Sequence, residues 1–297
     1  MNFSEAPYIA GYFGVFFGVL FGMMWWDRRN KRTRKPFPED LKLIRMPGEY
    51  LWRRVIENDE GDLALGLLAM AIPILVVGAV LYCVGCFLQS APAVGFLIAV
   101  VVFVFSLYLS ARWFQNRLRR RADDYLGFFG ERYVAEWLEP LKAEGWFIFH
   151  DVPCDGATGK FNLDHVAVGP GGIWVIETKT RRKGRARPGF KEHEVFFDGD
   201  QVIWPWAEDR TGLRQAADNA KWLKDWLRKM TGKDYPISAV LTLPGYCVVE
   251  RKLGPVRVVN PKVLPQVLTS RGKELLGKEA IDLVRRQLEA KCRDVEY

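Results

Sequence analysis

The sequence predicts an α/β sandwich preceded by three transmembrane α-helices. Two observations carry this. The first third of the 297 residues is dominated by long apolar runs, whereas the rest is mixed and charged. Within that remainder, patterns of helix, strand, hairpin, helix and strand follow in order, which is how an α/β sandwich is laid out along a chain. The division predicts a membrane part over residues 1–121 and a soluble part over 122–297.

The first span is predicted at 8–26, nineteen uncharged residues ending in Trp25-Trp26, enough to cross a hydrocarbon core of about 30 Å. No small-residue cleavage site follows it, so it reads as an anchor rather than a removed signal. Gly11, Gly14, Gly18 and Gly22 recur every three or four residues. They present a face where another span, or another copy of the chain in a homo-oligomer, can approach closely. Residues 28–35 hold six basic side chains and no acid, which places that end inside and the N-terminus outside.

The loop 27–62 contains a short amphipathic helix around 49–57, predicted to lie near the bilayer surface. Spans at 63–88 and 91–111 follow as a hairpin, and Arg112, Arg117, Arg119, Arg120 and Arg121 return the chain to the same side. The expectation is therefore an integral protein of the cytoplasmic (inner) membrane, in contact with the lipid bilayer, with residues 122–297 in the cytoplasm. Cys83 and Cys86 lie within an apolar run, and small residues packing there explain them better than redox or zinc chemistry.

In the soluble part, residues 123–144 have helical periodicity. Val134, Leu138 and Leu141 share a stripe with Glu131 one turn earlier. An acid on a core-facing stripe needs a partner or a metal, although an acid near a helix start also suits the macrodipole. Residues 146–152 form the first strand. The stretch Asn162–Lys179, NLDHVAVGPGGIWVIETK, then reads as a β-hairpin about Gly169-Pro170-Gly171-Gly172.

Symmetric closure of that turn pairs Val168 with Ile173, Val166 with Val175 and Asp164 with Glu177, and puts Lys179 on the same face. Carboxylates opposed at roughly 4.5–5.5 Å between Cβ atoms repel. A hard divalent ion together with Lys179 would offset this, and such ions take carboxylate ligands and activate water against phosphates. An ordinary charged hairpin end has the same spacing. His165 alternates to the opposite face, where packing suits it better than general-base work; His150 is the other nearby histidine.

The sequence from Gly130-Glu131 through Asp164-His165 to Glu177-Thr178-Lys179 resembles the nuclease-related domain, NERD, a branch of the PD-(D/E)xK restriction-endonuclease-like superfamily. The resemblance covers about residues 125–245. It implies a restriction-endonuclease-like α/β sandwich, with Glu131, Asp164 and Glu177 as metal-binding carboxylates for Mg2+ (or Mn2+) and Lys179 as the active-site lysine.

After the lysine, Arg181, Arg182, Lys183, Arg185 and Arg187 crowd five charges into seven residues. Beside a metal site such a loop suits a phosphodiester backbone rather than particular bases, while a solvated loop is the plain alternative. Residues 194–205 predict a second hairpin turning at Asp198-Gly199. A helix over 211–230 carries Gln215-x3-Asn219, a pattern that resembles the family's helix after the core sheet; Gln215 there would hold a scissile phosphate or orient a carboxylate. Strands at 237–243 and 256–259 and a helix over 273–291 complete the chain.

The function expected is a membrane-tethered, metal-dependent nuclease that hydrolyses phosphodiester bonds of DNA, with RNA second. The alternative is a catalytically silent anchored module that binds nucleic acid or protein. Net charge of +8 suits a polyanionic partner, and basic membrane flanks contribute to the same sum.

Overall fold

The computed structural model describes residues 42–87, 92–156, 159–270 and 275–295, together with single residues between 15 and 29. The chain divides into two units. In the first, residues 1–42, the described residues between 15 and 29 are helical; the remainder of the predicted span 8–26 and of the basic run 28–35 lies outside the described residues. The second unit spans 43–296.

This second unit opens with a short strand β1 (Leu43–Ile44) and two long helices, α1 (Glu49–Phe87) and α2 (Pro92–Leu138), which pack along each other. Both helices continue through places where the sequence suggested breaks. The surface helix expected at 49–57 and the span expected from 63 are one helix of 39 residues, with Pro73 inside it. The boundary expected at 121/122 lies in the middle of α2, 47 residues long. Nothing in 112–122 is a helix breaker, so apolar and charged stretches join without a turn. Among the described residues, one helix is long and apolar enough to cross a membrane, the α2 helix, rather than three. Its apolar residues Phe96, Leu97, Val101 and Phe105 are exposed.

The centre of the unit is a five-stranded mixed sheet, ordered β10-β8-β4-β3-β2. Strands β2 (Phe147–Gly156), β3 (Gly159–Gly169) and β4 (Gly172–Thr178) form an antiparallel meander. Strand β4 then pairs in parallel with β8 (Ile237–Thr242), and β8 with β10 (Arg257–Val259). Strand β4 is buried along its whole length, as a central strand covered on both faces must be.

One face carries Val166, Val168, Ile173 and Val175 beneath α3 (Thr211–Thr231) and α5 (Lys278–Cys292), which contribute Leu223, Leu227, Val284 and Leu288. The other carries Ala167, Trp174 and Ile176 against Val134 and Leu138 of α2, and against Leu264 and Leu268 of the short α4 (Leu264–Thr269). A smaller sheet, β7-β6-β5-β9, is inserted between β4 and β10. It consists of β5 (Glu194–Phe197), β6 (Val202–Ile203), β7 (Glu208–Asp209) and β9 (Cys247–Glu250). Strand β11 (Arg293–Val295) closes the chain against β1.

The β3–β4 turn is tighter than four residues. Gly169 pairs with Gly172, leaving Pro170-Gly171 as a two-residue loop. Of the three glycines, Gly172 takes a positive φ of 109°; the other two are needed for space. A Cβ on Gly169 would lie 2.2 Å from the Trp146 ring, and one on Gly171 2.7 Å from the Leu268 carbonyl. Because this turn sets the register on which the cleft depends, Gly169→Ala should lower unfolding stability by about 1–3 kcal/mol through overpacking. Chemical denaturation of the variant checks this, and an unchanged midpoint contradicts it.

Candidate active site

Glu131, Asp164, Glu177, Lys179 and Gln215 all line one open cleft of about 810 Å³. The register that places two of the acids side by side is partly the expected one: Val168 faces Ile173 and Val166 faces Val175. The ladder ends at His165 and Ile176, however, and Asp164 accepts a hydrogen bond from the Thr178 backbone N–H at 2.7 Å.

Asp164 does not continue the core stripe of Val166 and Val168. Core positions Leu163 and Val166 on β3, and Phe149 and Val152 on β2, are each three residues apart. Both strands therefore slip out of their period of two at Asp151 and Asp164. The β2–β3 ladder runs without change of register from His150–His165 to Val152–Leu163, but skips this pair. Asp151 has a φ of +48°, the sole positive value among the described non-glycine residues. The two aspartates consequently both line the cleft.

Glu131 arrives from α2, on the stripe that buries Val134 and Leu138. Gly130 lets the helix approach β4, since a Cβ there would fall 1.8 Å from Thr180 Oγ1. Glu177 is 1% exposed, receives the Asn219 amide at 2.8 Å and pairs with Lys179 Nζ at 2.8 Å. Gly212, at the start of α3, leaves room for the lysine stem, its missing Cβ lying 3.3 Å from Lys179 Cγ. Gln215 stands one turn before Asn219 on α3.

Three acids share one ammonium here, and the electrostatics follow. Burial pushes the Glu131 carboxyl up to about 8, helped by the charges of Asp151 and Glu177 and opposed by Lys179 and the Gly48 N–H. Burial and the neighbouring Glu177 and Glu131 hold Asp164 well above the usual carboxylate range. Glu177 is also raised by burial, against the pull of Lys179 and Asn219. For Lys179, burial disfavours the charge, but Glu177, Asp164 and Glu131 outweigh it and the ammonium is kept protonated.

Oxygen donors of this kind suit a hard cation held by one or two carboxylates plus water and substrate oxygens. Two further cleft hydroxyls, Thr178 Oγ1 and Thr180 Oγ1, are buried with no hydrogen-bond partner among the described residues. The cleft thus holds polar capacity that the protein itself does not use. Among the described residues no three His, Cys, Asp or Glu side chains form a ready-made metal cage, so the donor set fits an open, partly hydrated ion rather than an enclosed one.

Three of the five basic side chains of the loop are engaged within the protein. Arg181 pairs with Asp209 and lies 4.8 Å over the Trp204 ring. Arg182 pairs with Asp123 on α2, and Arg187 reaches the Trp204 and Pro205 carbonyls and the Phe190 ring. Acids and aromatics of the small inserted sheet and of α2 claim these three guanidinium groups. Lys183, near the Tyr246 ring, and Arg185 remain exposed.

His165 is buried, its Nδ1 2.8 Å from that of His150. Three residues that the sequence did not single out complete the surroundings, Asp151, Arg45 and Asn162, which line the cleft; Asn219, noted in the sequence beside Gln215, holds Glu177. A charged residue at the end of the apolar run WFIFHDV was the available signal for Asp151.

Residues 126–244 match the family model of the nuclease-related domain, NERD. The match covers less than half of the 297-residue chain and contains every acid of the cleft cluster as well as Lys179 and Gln215. No curated protein and no solved structure matches the chain. The matched segment begins inside α2 and ends just after β8, so β1, α1, β9, β10, α4, α5 and β11 lie outside it.

The histidine pair gives this domain a pH signature. Burial drops His150 to about 4 and His165 well below its usual value, whereas an unfolded histidine protonates near about 6.5. Between those values the unfolded chain binds more protons, so the contribution of His150 is complete above pH 6.5 and is lost as pH falls towards 4. Denaturation curves across this window should show the wild type losing stability relative to His150→Phe; parallel pH dependence of the two proteins contradicts the assignment.

Proposed function

We propose that the protein is a metal-dependent phosphodiesterase that acts on nucleic acid, DNA before RNA, from a membrane-tethered position. The observation that carries this reading is the cleft in which Glu131, Asp164 and Glu177 face a single neutralising group, Lys179. Three acids that burial and mutual repulsion push towards protonation, facing one ammonium, are groups that a divalent cation can ionise and neutralise as it binds. The nuclease-related match of residues 126–244 supports the same reaction class. The mixed sheet flanked by helices is consistent with a restriction-endonuclease-like core.

Asp164 and Glu177 would hold Mg2+ or Mn2+, with Glu131 supporting them, and the ion would supply Lewis-acid polarisation and an acidified water. Asn219 fixes the Glu177 carboxylate so that one oxygen remains directed at Lys179. Lys179, kept protonated by its acids, donates to the charge that develops on the phosphate and does not serve as a base. Gln215 lines the cleft wall, and we assign it the holding of a phosphate oxygen. Lys183 and Arg185 are the loop residues with charge exposed for a backbone contact. The exposed apolar length of α2 supports a tether, with its arginine-rich end on the cytoplasmic side of the inner membrane.

A second reading, a catalytically silent anchored module, draws on the absence, among the described residues, of a ready-made three-ligand metal group and on the guanidinium groups of Arg181, Arg182 and Arg187 being engaged within the protein. Incubation of the full chain in detergent with plasmid and Mg2+ separates the two. The nuclease reading expects cleavage that falls by roughly 10²–10³-fold in Lys179→Ala and Glu177→Ala, with DNA binding retained. Binding without cleavage in the wild type, unchanged in either variant, establishes the silent module instead.

Protons and cation compete for the same acids, which fixes the direction of the pH dependence. Because Glu131 is raised to about 8, calorimetric Mn2+ affinity should increase as pH rises through about 8 and then level off. In Glu131→Gln that rise should flatten, and a wild-type affinity independent of pH between 6 and 9 contradicts the role assigned to Glu131.

A further inference from the structure

The cleft is not built by the nuclease-related segment alone. Arg45, Tyr50 and Leu51 from the chain before it, and Lys291 and Asp294 from the chain after it, also line the cavity. Strands β1 and β11 pair antiparallel, and the Arg45 backbone N–H donates to the Cys292 carbonyl at 3.2 Å, so the two outside segments are tied together. The Arg45 guanidinium then bridges them to the cleft. It makes two bonds of 2.7 Å to the Asp294 carboxylate, and its Nη1 donates to Asp151 Oδ2 at 2.8 Å and to the Asp151 carbonyl at 3.1 Å.

Both carboxylate oxygens of Asp151 are occupied. Oδ2 accepts from Arg45 and from the Tyr50 N–H, and Oδ1 from the Asn162 amide. Asp151 is 3% exposed and both its oxygens are held by Arg45, Tyr50 and Asn162. Its backbone is the unusual feature. A non-glycine residue at φ +48° in the middle of a strand is strained and persists only when its surroundings over-determine it. Arg45 and Tyr50 supply that determination, with a grip on backbone and side chain at once.

Without it, the favoured course for Asp151 is to extend and pair with Asp164, closing the one gap in a ladder that is otherwise continuous from Phe147–Val168 to Gly156–Gly159. Restoring the period of two there would swing Asp164 out of the position in which it receives the Thr178 N–H. The same outside segment reaches Glu131 as well, through the Gly48 N–H. A Cβ on Gly48 would lie 2.7 Å from the Phe128 ring, so this close seat against α2 depends on glycine.

We propose that Asp151 is a positioning residue of the cleft and that Arg45, from outside the nuclease-related segment, holds it in place, so that residues 43–51 and the α1 helix they open form one functional unit with the site. This rests on the phosphodiesterase reading for its catalytic consequence, but not for its structural one. It implies that residues 122–297 alone lack one wall of the cleft.

The test uses the full chain in detergent with Arg45→Ala, Arg45→Lys, Asp294→Ala and, as a surface control, Lys191→Ala, whose ion pair with Glu194 is remote from the cleft lining. Hydrogen exchange, Mn2+ calorimetry and plasmid cleavage are read on each. In Arg45→Ala, amides at 150–152 and 163–165 should exchange at least tenfold faster, Mn2+ affinity should fall at least fivefold, and kcat should fall at least tenfold with KM within about twofold. Arg45→Lys should recover most of each effect, Asp294→Ala should be intermediate, and Lys191→Ala should match the wild type. Unchanged exchange in Arg45→Ala overturns the proposal, as does an equal loss in Lys191→Ala. A wild type that neither binds Mn2+ nor cleaves, while exchange at 150–152 still responds to Arg45, removes the phosphodiesterase reading and upholds the clamp.

Discussion

The structure is arranged around an electrostatic imbalance: Glu131, Asp164 and Glu177 are gathered in one cleft with Lys179 as their shared counter-charge. Each acid reaches the cleft from a different element, and each element is fixed by packing elsewhere. Trp146 closes on Gly169 and Gly171 and sets the β3–β4 register. Val134 and Leu138 seat α2 so that Glu131 faces inward, and Leu223 and Leu227 seat α3 so that Asn219 meets Glu177. Apolar burial on both faces of the sheet is what holds like charges close together against their repulsion.

The cleft also depends on a local departure from regular strand geometry. At Asp151 and Asp164 the meander loses one pair of its ladder and both strands change phase. That brings two acids to the cleft lining at a point where a regular sheet would pair them and would send alternate side chains into the core. The chain stabilises this departure with residues distant in sequence, since Arg45 lies 106 positions before Asp151 and joins it to Asp294 near the end of the chain. The same contacts place the start of α1 at the rim of the cleft, so the long apolar helices and the site share a mechanical connection.

Much of this is legible in the sequence. The glycine-rich turn, the alternation of β-branched residues and the stripe from Glu131 to Leu138 are local signals, and each corresponds to the structure at the level of the element. What local patterns do not carry are contacts of long sequence separation. Strict alternation puts Asp164 on the core stripe; the structure gives that place to Leu163, because the strained Asp151 beside it breaks the period. Composition reads residues 181–187 as a run of charges for a phosphodiester backbone, yet Asp209, Asp123 and Trp204 engage Arg181 and Arg182 from elements that no window of seven residues contains. The helix breaks expected near 58 and 122 rest on changes in polarity, which do not by themselves end a helix; near 58 the helix continues even through Asn58 and Gly61.

The most direct test of the central claim is anomalous scattering from crystals of the protein soaked in Mn2+. The account predicts one strong peak in the cleft, about 2.0–2.2 Å from carboxylate oxygens of Asp164 and Glu177, that disappears in Glu177→Ala. An empty cleft with Mn2+ bound elsewhere, or a peak that survives Glu177→Ala unmoved, contradicts it.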